Sequence, residues 1–134
     1  MTYFEDGTSY PFLPPEVHAT CAGWLDTRRE YSRGPVPSEF VAVLSRLCRD
    51  TVFRTRGFHY CDLCVPDHER RSDSDYVKTV VHDDRGEFAV GSAEIHVQRL
   101  GEAMYVAPDM VIHYVVDHGY RPPDGFVEAV LASP

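Results

Sequence analysis

The chain has no asparagine and one lysine, Lys78, against twelve arginines. This imbalance points to a GC-rich bacterial coding sequence and carries no chemistry. No apolar run approaches the ~20 residues that a membrane-spanning helix needs. The opening Met-Thr-Tyr-Phe-Glu-Asp-Gly lacks the charged-then-apolar order of a secretory signal. Both absences lead us to expect a cytoplasmic protein with no membrane partner. Positive charge is also scarce: 13 Lys and Arg face 21 Asp and Glu, for a net charge of −8. An acidic surface repels phosphate backbones, so nucleic acid is disfavoured as a ligand. Arg28, Arg29 and Arg33 form one basic cluster, and Arg46, Arg49, Arg54 and Arg56 form another. Both read as solvated faces or as partners of the carboxylates. No nucleophile–base pair and no phosphate-binding glycine loop is present.

What remains is 134 residues with 43% apolar content, enough for one domain with a modest core. Residues 1–15, rich in Tyr, Phe, Pro and Gly, read as an irregular amino-terminal arm, and 16–134 as a single α+β zinc-binding domain. Val17, Ala19 and Cys21 alternate with polar neighbours, which predicts a short strand. Pro37 and Ser38 precede Phe40, Val43, Leu44 and Leu47 at helical spacing, which predicts a helix over 39–48 with Ser38 as its cap. The runs 77–82, 87–90, 93–97 and 104–106 are short and β-rich. Asp83-Asp84-Arg85-Gly86 and Leu100-Gly101-Glu102 supply turns, so the strands read as a small antiparallel meander. On the third of them, Ala93, Ile95 and Val97 face the core, leaving Glu94, His96 and Gln98 on the other side. A helix is expected to start at Pro108-Asp109 and stop at Gly119, and a last one to start near Pro123-Asp124. With the helix over 39–48 this makes about three helices. The polar stretch from Pro66 to Asp75 reads as a mobile loop.

The most constraining feature is Cys61-Asp-Leu-Cys64, followed 49 residues later by His113-Tyr-Val-Val-Asp-His118. Two thiols two residues apart can chelate one ion from a tight turn, and two imidazoles from a helix end can close a tetrahedral shell. This Cys₂His₂ set suits Zn²⁺ better than the oxygen-seeking Mg²⁺ or Ca²⁺. The two histidines fall about 140° apart on an ideal helix, so the shell requires a distorted last turn, and Gly119 stands where such tightening occurs. In a reducing compartment the cysteine pair means metal or redox chemistry; Cys21 and Cys48, in apolar settings, read as buried small hydrophobes. His59 is an alternative ligand, His68 stands close by, and His82 and His96 lie on expected strands. A thioredoxin-like site would need an amphipathic helix after the cysteines, where Pro66 and a hydrophilic stretch follow. A zinc deaminase would need His-x-Glu before the cysteines, and none occurs. If a coordination position stays open, Glu94 is the candidate general acid/base, with Asp117 after it.

Arg56-Gly57-Phe58-His59-Tyr60-Cys61-x-x-Cys64, Gly91-x-x-Glu94-Ile95, and Tyr105-x-Ala107-Pro108-x-x-x-x-His113-Tyr114-x-x-x-His118-x-Tyr120-x-Pro122-Pro123-x-x-Phe126 together resemble a family of uncharacterised small bacterial proteins. Its marks are a Cys-x-x-Cys knuckle and a carboxy-terminal histidine-bearing helix, and the resemblance spans roughly residues 22–131. It implies that Arg56, His59, Glu94 and Tyr105 matter together and assigns no reaction. The expected function is a non-enzymatic accessory or interaction module stapled by zinc, with another protein as partner. The arm and the 66–76 loop are its expected contact surfaces. The alternative is a small zinc-dependent hydrolase or lyase using Glu94 on a small-molecule substrate.

Overall fold

A computed structural model describes residues 2–14, 16–55, 57–98 and 104–134. The fold is α+β, with three α-helices among the described residues. Strand β1 (Ala19–Cys21) is followed by helix α1 (Ser38–Asp50) and strand β2 (Phe53–Arg54). Two strands, β3 (Thr79–Asp83) and β4 (Gly86–Val90), come next, then β5 (Ala93–Val97) and β6 (Met104–Pro108). Helices α2 (Val111–His118) and α3 (Asp124–Leu131) close the chain.

Consecutive strands from β3 to β6 do form antiparallel hairpins, but they divide between two sheets. β3 and β4 make a two-stranded ribbon, whereas β5 and β6 join a four-stranded sheet in the order β1-β6-β5-β2. The break falls at Gly91, whose φ of +115° turns the chain out of the ladder. β1 pairs with β6 in parallel, Ala19 opposite Met104, a contact no hairpin pattern announces. The expected turn at 100–102 lies outside the described residues.

Helix boundaries differ from the local signals in two places. Pro37, with φ −63° and ψ 144°, occupies the cap of α1, and Ser38 is its first residue without a capping bond. Pro108 ends β6 and does not start a helix. Its register opposite Glu94, and the Asp109 amide donated to Ala93 O at 2.9 Å, keep this stretch in the sheet. Long-range ladder bonds here override a local helix-start signature. Gly119 ends α2 as its sequence position predicts, with φ +66°.

The sheet has two different faces. Ala93, Ile95 and Val97 of β5, with Tyr105 and Ala107 of β6, face the helices. There Phe40, Leu44, Ile112, Tyr114 and Phe126 fill the main core. The opposite face is covered by the amino-terminal arm. Phe4 bridges to Trp24 and Ser9 to Thr20, and the rings of Phe4, Tyr10 and Trp24 pack at centroid distances of 5.4–5.9 Å. Most of the arm's aromatic surface is therefore spent inside the molecule, and Phe12, 70% exposed, is its main outward ring. Buried Cys21 and Cys48 belong to these two cores, as their apolar settings indicate.

Candidate metal centre

The segment carrying the cysteines is held from two sides. On one side the His59 amide donates to Gly91 O at 2.6 Å, and a Cβ on Gly91 would collide with the carbonyl of His59. Gly91 in turn donates its amide to Asp109 Oδ1 at 2.9 Å. Asp109 is 1% exposed, and burial pushes its carboxyl up to about 6 despite the amides of Gly91, Ser92 and Ala93 that favour its charge. On the other side stands Arg70. Its side chain is 4% exposed and donates to Cys61 O at 3.0 Å and to Asp62 Oδ1 at 2.8 Å. The guanidinium carbon lies 5.6 Å and 5.7 Å from the ring centroids of Tyr60 and Tyr76.

Arg70 belongs to the polar stretch 66–75, which the sequence reads as a loop. Two short 3₁₀ turns, Asp67–Glu69 and Asp73–Asp75, order this stretch, the second with a reciprocal Ser72–Asp75 capping box. Sequence reasoning missed Arg70 because it looks like one more charge in a hydrophilic run. The surrounding Asp62, Asp67, Tyr60 and Tyr76 were the available signal, since together they can bury a guanidinium.

Within the turn, the backbone amides of Cys64 and Leu63 favour the thiolate form of Cys61. Burial nonetheless pushes the Cys61 thiol up to about 12, the neighbouring amides offsetting this only in part. A thiolate here therefore needs a cation beside it. Cys61 is buried, whereas Cys64 is exposed.

Helix α2 supplies the imidazoles, and its end is widened, which is the distortion that brings residues five apart toward one face. The amides of Gly119 and Tyr120 both close on Tyr114 O, five and six residues back, in place of the four-residue step of an α-turn. The His118 carbonyl is anchored by Tyr31 Oη at 3.0 Å. Both rings then present Nε2 to the cysteines. His113 Nε2 lies 3.3 Å from Cys64 Sγ, and His118 Nε2 lies 3.3 Å from Cys64 Sγ and 3.5 Å from Cys61 Sγ. The two Nε2 atoms are 3.2 Å apart. On the far side of its ring, His113 Nδ1 lies 2.7 Å from Asp117 Oδ2. Burial lowers the pKa of both histidines, His118 being lowered further by His113, so the neutral, ligating form is favoured.

All four ligand atoms lie within 4.8 Å of one another, forming a Cys₂His₂ cluster compatible with a metal site. Hydrogen bonding alone does not account for it. His118 Nε2 has three close neighbours and at most one proton, which can point at one of them. The arrangement instead aims four electron pairs at a common centre.

The other expected participants lie elsewhere. Glu94 projects from the opposite sheet face, accepting from Tyr10 Oη at 2.5 Å and sitting 2.8 Å from His96 Nε2. Phe53 stacks on the His96 ring at 3.8 Å. Burial raises the Tyr10 hydroxyl pKa, and its hydrogen bond to Glu94 raises it further. Asp117 adjoins the cluster, its carboxylate beside His113. The alternative ligand His59 lines a polar cleft with Arg28, Asp62, His68 and Arg70. His82 is exposed and pairs with Glu87 at 3.3 Å. Tyr105 is buried in the main core with its edge to Phe126. Arg56 lies outside the described residues. The structure thus brings the four cysteine and histidine side chains together and leaves His59, Glu94 and Tyr105 in three separate surroundings.

Fold and site define a small α+β domain with a two-cysteine, two-histidine cluster joining a tight turn to a helix end. The family model described as "Domain of unknown function (DUF7919)" matches residues 2–131, and the chain belongs to that family. No curated protein and no solved structure matches the chain. Among the described residues, no helix is long and apolar enough to cross a membrane.

Proposed function

We propose that this chain is a zinc-stapled, non-enzymatic interaction module of the bacterial cytoplasm, acting through another protein. The observation that carries the zinc reading is the spacing of the four ligand atoms. A tetrahedral shell with Zn–S of about 2.3 Å and Zn–N of about 2.0 Å has S···N edges of about 3.5 Å and an N···N edge of about 3.3 Å. Three of the four S···N separations here are 3.3–3.5 Å, the N···N separation is 3.2 Å, and all four atoms lie within 4.8 Å of one another. Oxygen-seeking cations would find no carboxylate or carbonyl in this set.

Asp117 stands 2.7 Å from His113 Nδ1, close enough to act on that ring, though not aligned as a hydrogen bond. A carboxylate on the far nitrogen of a ligating imidazole fixes the tautomer and strengthens the ligand. Four protein ligands close the shell, which is the pattern of a structural ion. Glu94, the carboxylate that an open-position mechanism would use, is committed to Tyr10 and His96 on the other face of the sheet. The ion would instead hold Cys61 and Cys64 to α2 across 49 to 57 residues of chain, so its binding contributes to folding.

Elemental analysis of tag-free protein, with Cys64→Ser, His118→Ala and Glu94→Ala alongside, tests this directly. One zinc per chain is expected in the parent and in Glu94→Ala. Loss of zinc together with a strongly lowered melting temperature is expected in the other two. A parent protein without stoichiometric metal, or one whose melting is indifferent to a chelator, rejects the reading.

A further inference from the structure

The four cysteines differ in access. Cys21 is 0% exposed, Cys48 2% and Cys61 3%, whereas Cys64 is exposed. Burial raises the thiol pKa of Cys21 to about 11 and that of Cys48 well above its ordinary value, so both persist as unreactive thiols. Cys64 instead lines a cleft of about 260 Å³ with Val65, Val77, Thr79 and Val80, and a small solute reaches its sulfur from there.

Cys61 stands beside it as a partner that can be bonded. The Val65 amide closes on Cys61 O at 3.2 Å, so both thiols leave one tight turn, and their sulfurs lie within 4.8 Å of each other. Residues i and i+3 of a tight turn stand less than about 7 Å apart at Cα, and a disulfide spans about 4.4–6.8 Å. Metal ligation requires both sulfurs as thiolates, which is also their reactive form. One sulfur is open to solvent and the other is hidden next to it, which is the arrangement of an attacking and a resolving cysteine.

We propose that Cys64 and Cys61 are an oxidation site for a peroxide, and that the disulfide they form releases the metal. The inference rests on the zinc-stapled reading and adds regulation of that same centre. The Cys64 thiolate attacks hydrogen peroxide, forming an S–O bond as the O–O bond breaks and hydroxide leaves. The Cys61 thiolate then attacks Cys64 Sγ, forming the S–S bond and expelling a second hydroxide. Two electrons pass from the sulfurs to the peroxide. The disulfide offers no thiolate, so His113 and His118 remain as a two-ligand site that no longer retains zinc. The bonds around the centre do not depend on the ion. His59 and Gly91 with Arg70 hold the turn, and Tyr31 Oη holds the His118 carbonyl. Oxidation therefore uncouples the turn from α2 in a chain that stays folded at ambient temperature, and a dithiol reductant with zinc restores the shell. In a reducing compartment the resting state is the zinc-bound one.

The test treats the full, zinc-loaded chain with hydrogen peroxide and follows zinc with a chromogenic chelator, free thiols by titration, and melting by circular dichroism. One zinc and two thiols per chain should be lost together, and mass spectrometry of the alkylated digest should place the disulfide at Cys61 and Cys64. The thiols of Cys21 and Cys48 should be lost at least tenfold more slowly. The oxidised chain should melt at a lower temperature, and dithiothreitol with zinc should restore the original one. Iodoacetamide on the unoxidised protein should label Cys64 at least tenfold faster than Cys61; labelling of Cys64 no faster than Cys61 would overturn the assigned roles. Zinc retained at peroxide concentrations that oxidise free cysteine overturns this inference alone. So does zinc lost with sulfinic or sulfonic acid, with a disulfide between two chains, or without recovery under reductant. A parent protein that holds no zinc overturns the reading beneath it and this inference with it.

Discussion

Gly86 and Gly91 share nearly the same backbone conformation, with φ +112° and +115°, but not the same surroundings. An added Cβ at Gly86 meets nothing within 4 Å, whereas at Gly91 it would strike the His59 carbonyl. Alanine at either position incurs the cost of a left-handed conformation, about 1–2 kcal/mol. At Gly91 the collision must also displace the His59 backbone, breaking the amide bond to Gly91 O and disturbing the bond from Gly91 to Asp109. Each bond of this kind contributes about 1 kcal/mol, and more when a buried group is left unsatisfied. We expect Gly91→Ala to destabilise the chain by about 3–5 kcal/mol and Gly86→Ala by about 1–2 kcal/mol. Urea unfolding of the metal-loaded proteins reads both, as shifts in midpoint at constant slope. Because His59 leads directly into the cysteine turn, Gly91→Ala should also release metal to a chelator faster than the parent, and Gly86→Ala should not. Equal effects of the two substitutions would refute the claim that the Gly91–His59 crossing holds the turn in place.

Asp109 makes a pH prediction of defined sign. Its folded pKa of about 6 lies above the ordinary carboxyl value, so its favourable contribution is complete below pH ~4 and is lost as pH rises through about 6. A shift of about two units corresponds to roughly 3 kcal/mol. The stability difference between parent and Asp109→Asn should therefore drift by that order between pH 4 and 6 and be flat above 7; parallel curves across the range would contradict it. Arg70→Met should cost about 2–4 kcal/mol, since it strands Asp62 and the Cys61 carbonyl, and should speed zinc loss. Arg70→Lys should recover part of the stability, and a chelator competition unchanged by either substitution would remove Arg70 from the support of the turn.

Features that rest on local spacing were legible before any coordinates. The i, i+3, i+4 pattern around Phe40 and Leu44 marks α1, glycine marks the end of α2, and strand alternation separates Ile95 and Val97 from Glu94 and His96. The cysteine and histidine pairs were legible for the same reason, because chelation demands particular residues at short intervals. Features decided by long-range contact were not. Nothing near Glu94 announces Tyr10, 84 residues earlier, and nothing near Ala19 announces a parallel pairing with Met104. Pro108 carries a local helix-start signal that the sheet overrules. Arg70 reads as solvated until its carbonyl, carboxylate and aromatic partners are seen to converge on it.

The parallel pairing of β1 with β6 has a consequence for biosynthesis. Chain order and sheet order run against each other: among the described residues, β1 has no partner in its sheet until Met104–Pro108 has followed it from the ribosome. Tyr10 waits likewise for Glu94, Asp6 for Tyr120, and the cysteine turn for α2. Helix α1 and the arm's own contacts with Thr20 and Trp24 can form early, but the surfaces of Trp24 and Cys21 that meet Val106 stay uncovered until β6 is made. Closure is a late event that joins residues 6–21 to residues 94–120, and non-local closure is slow compared with helix formation. For this molecule, the period between synthesis and closure is when aggregation and cysteine oxidation compete most directly with the native fold.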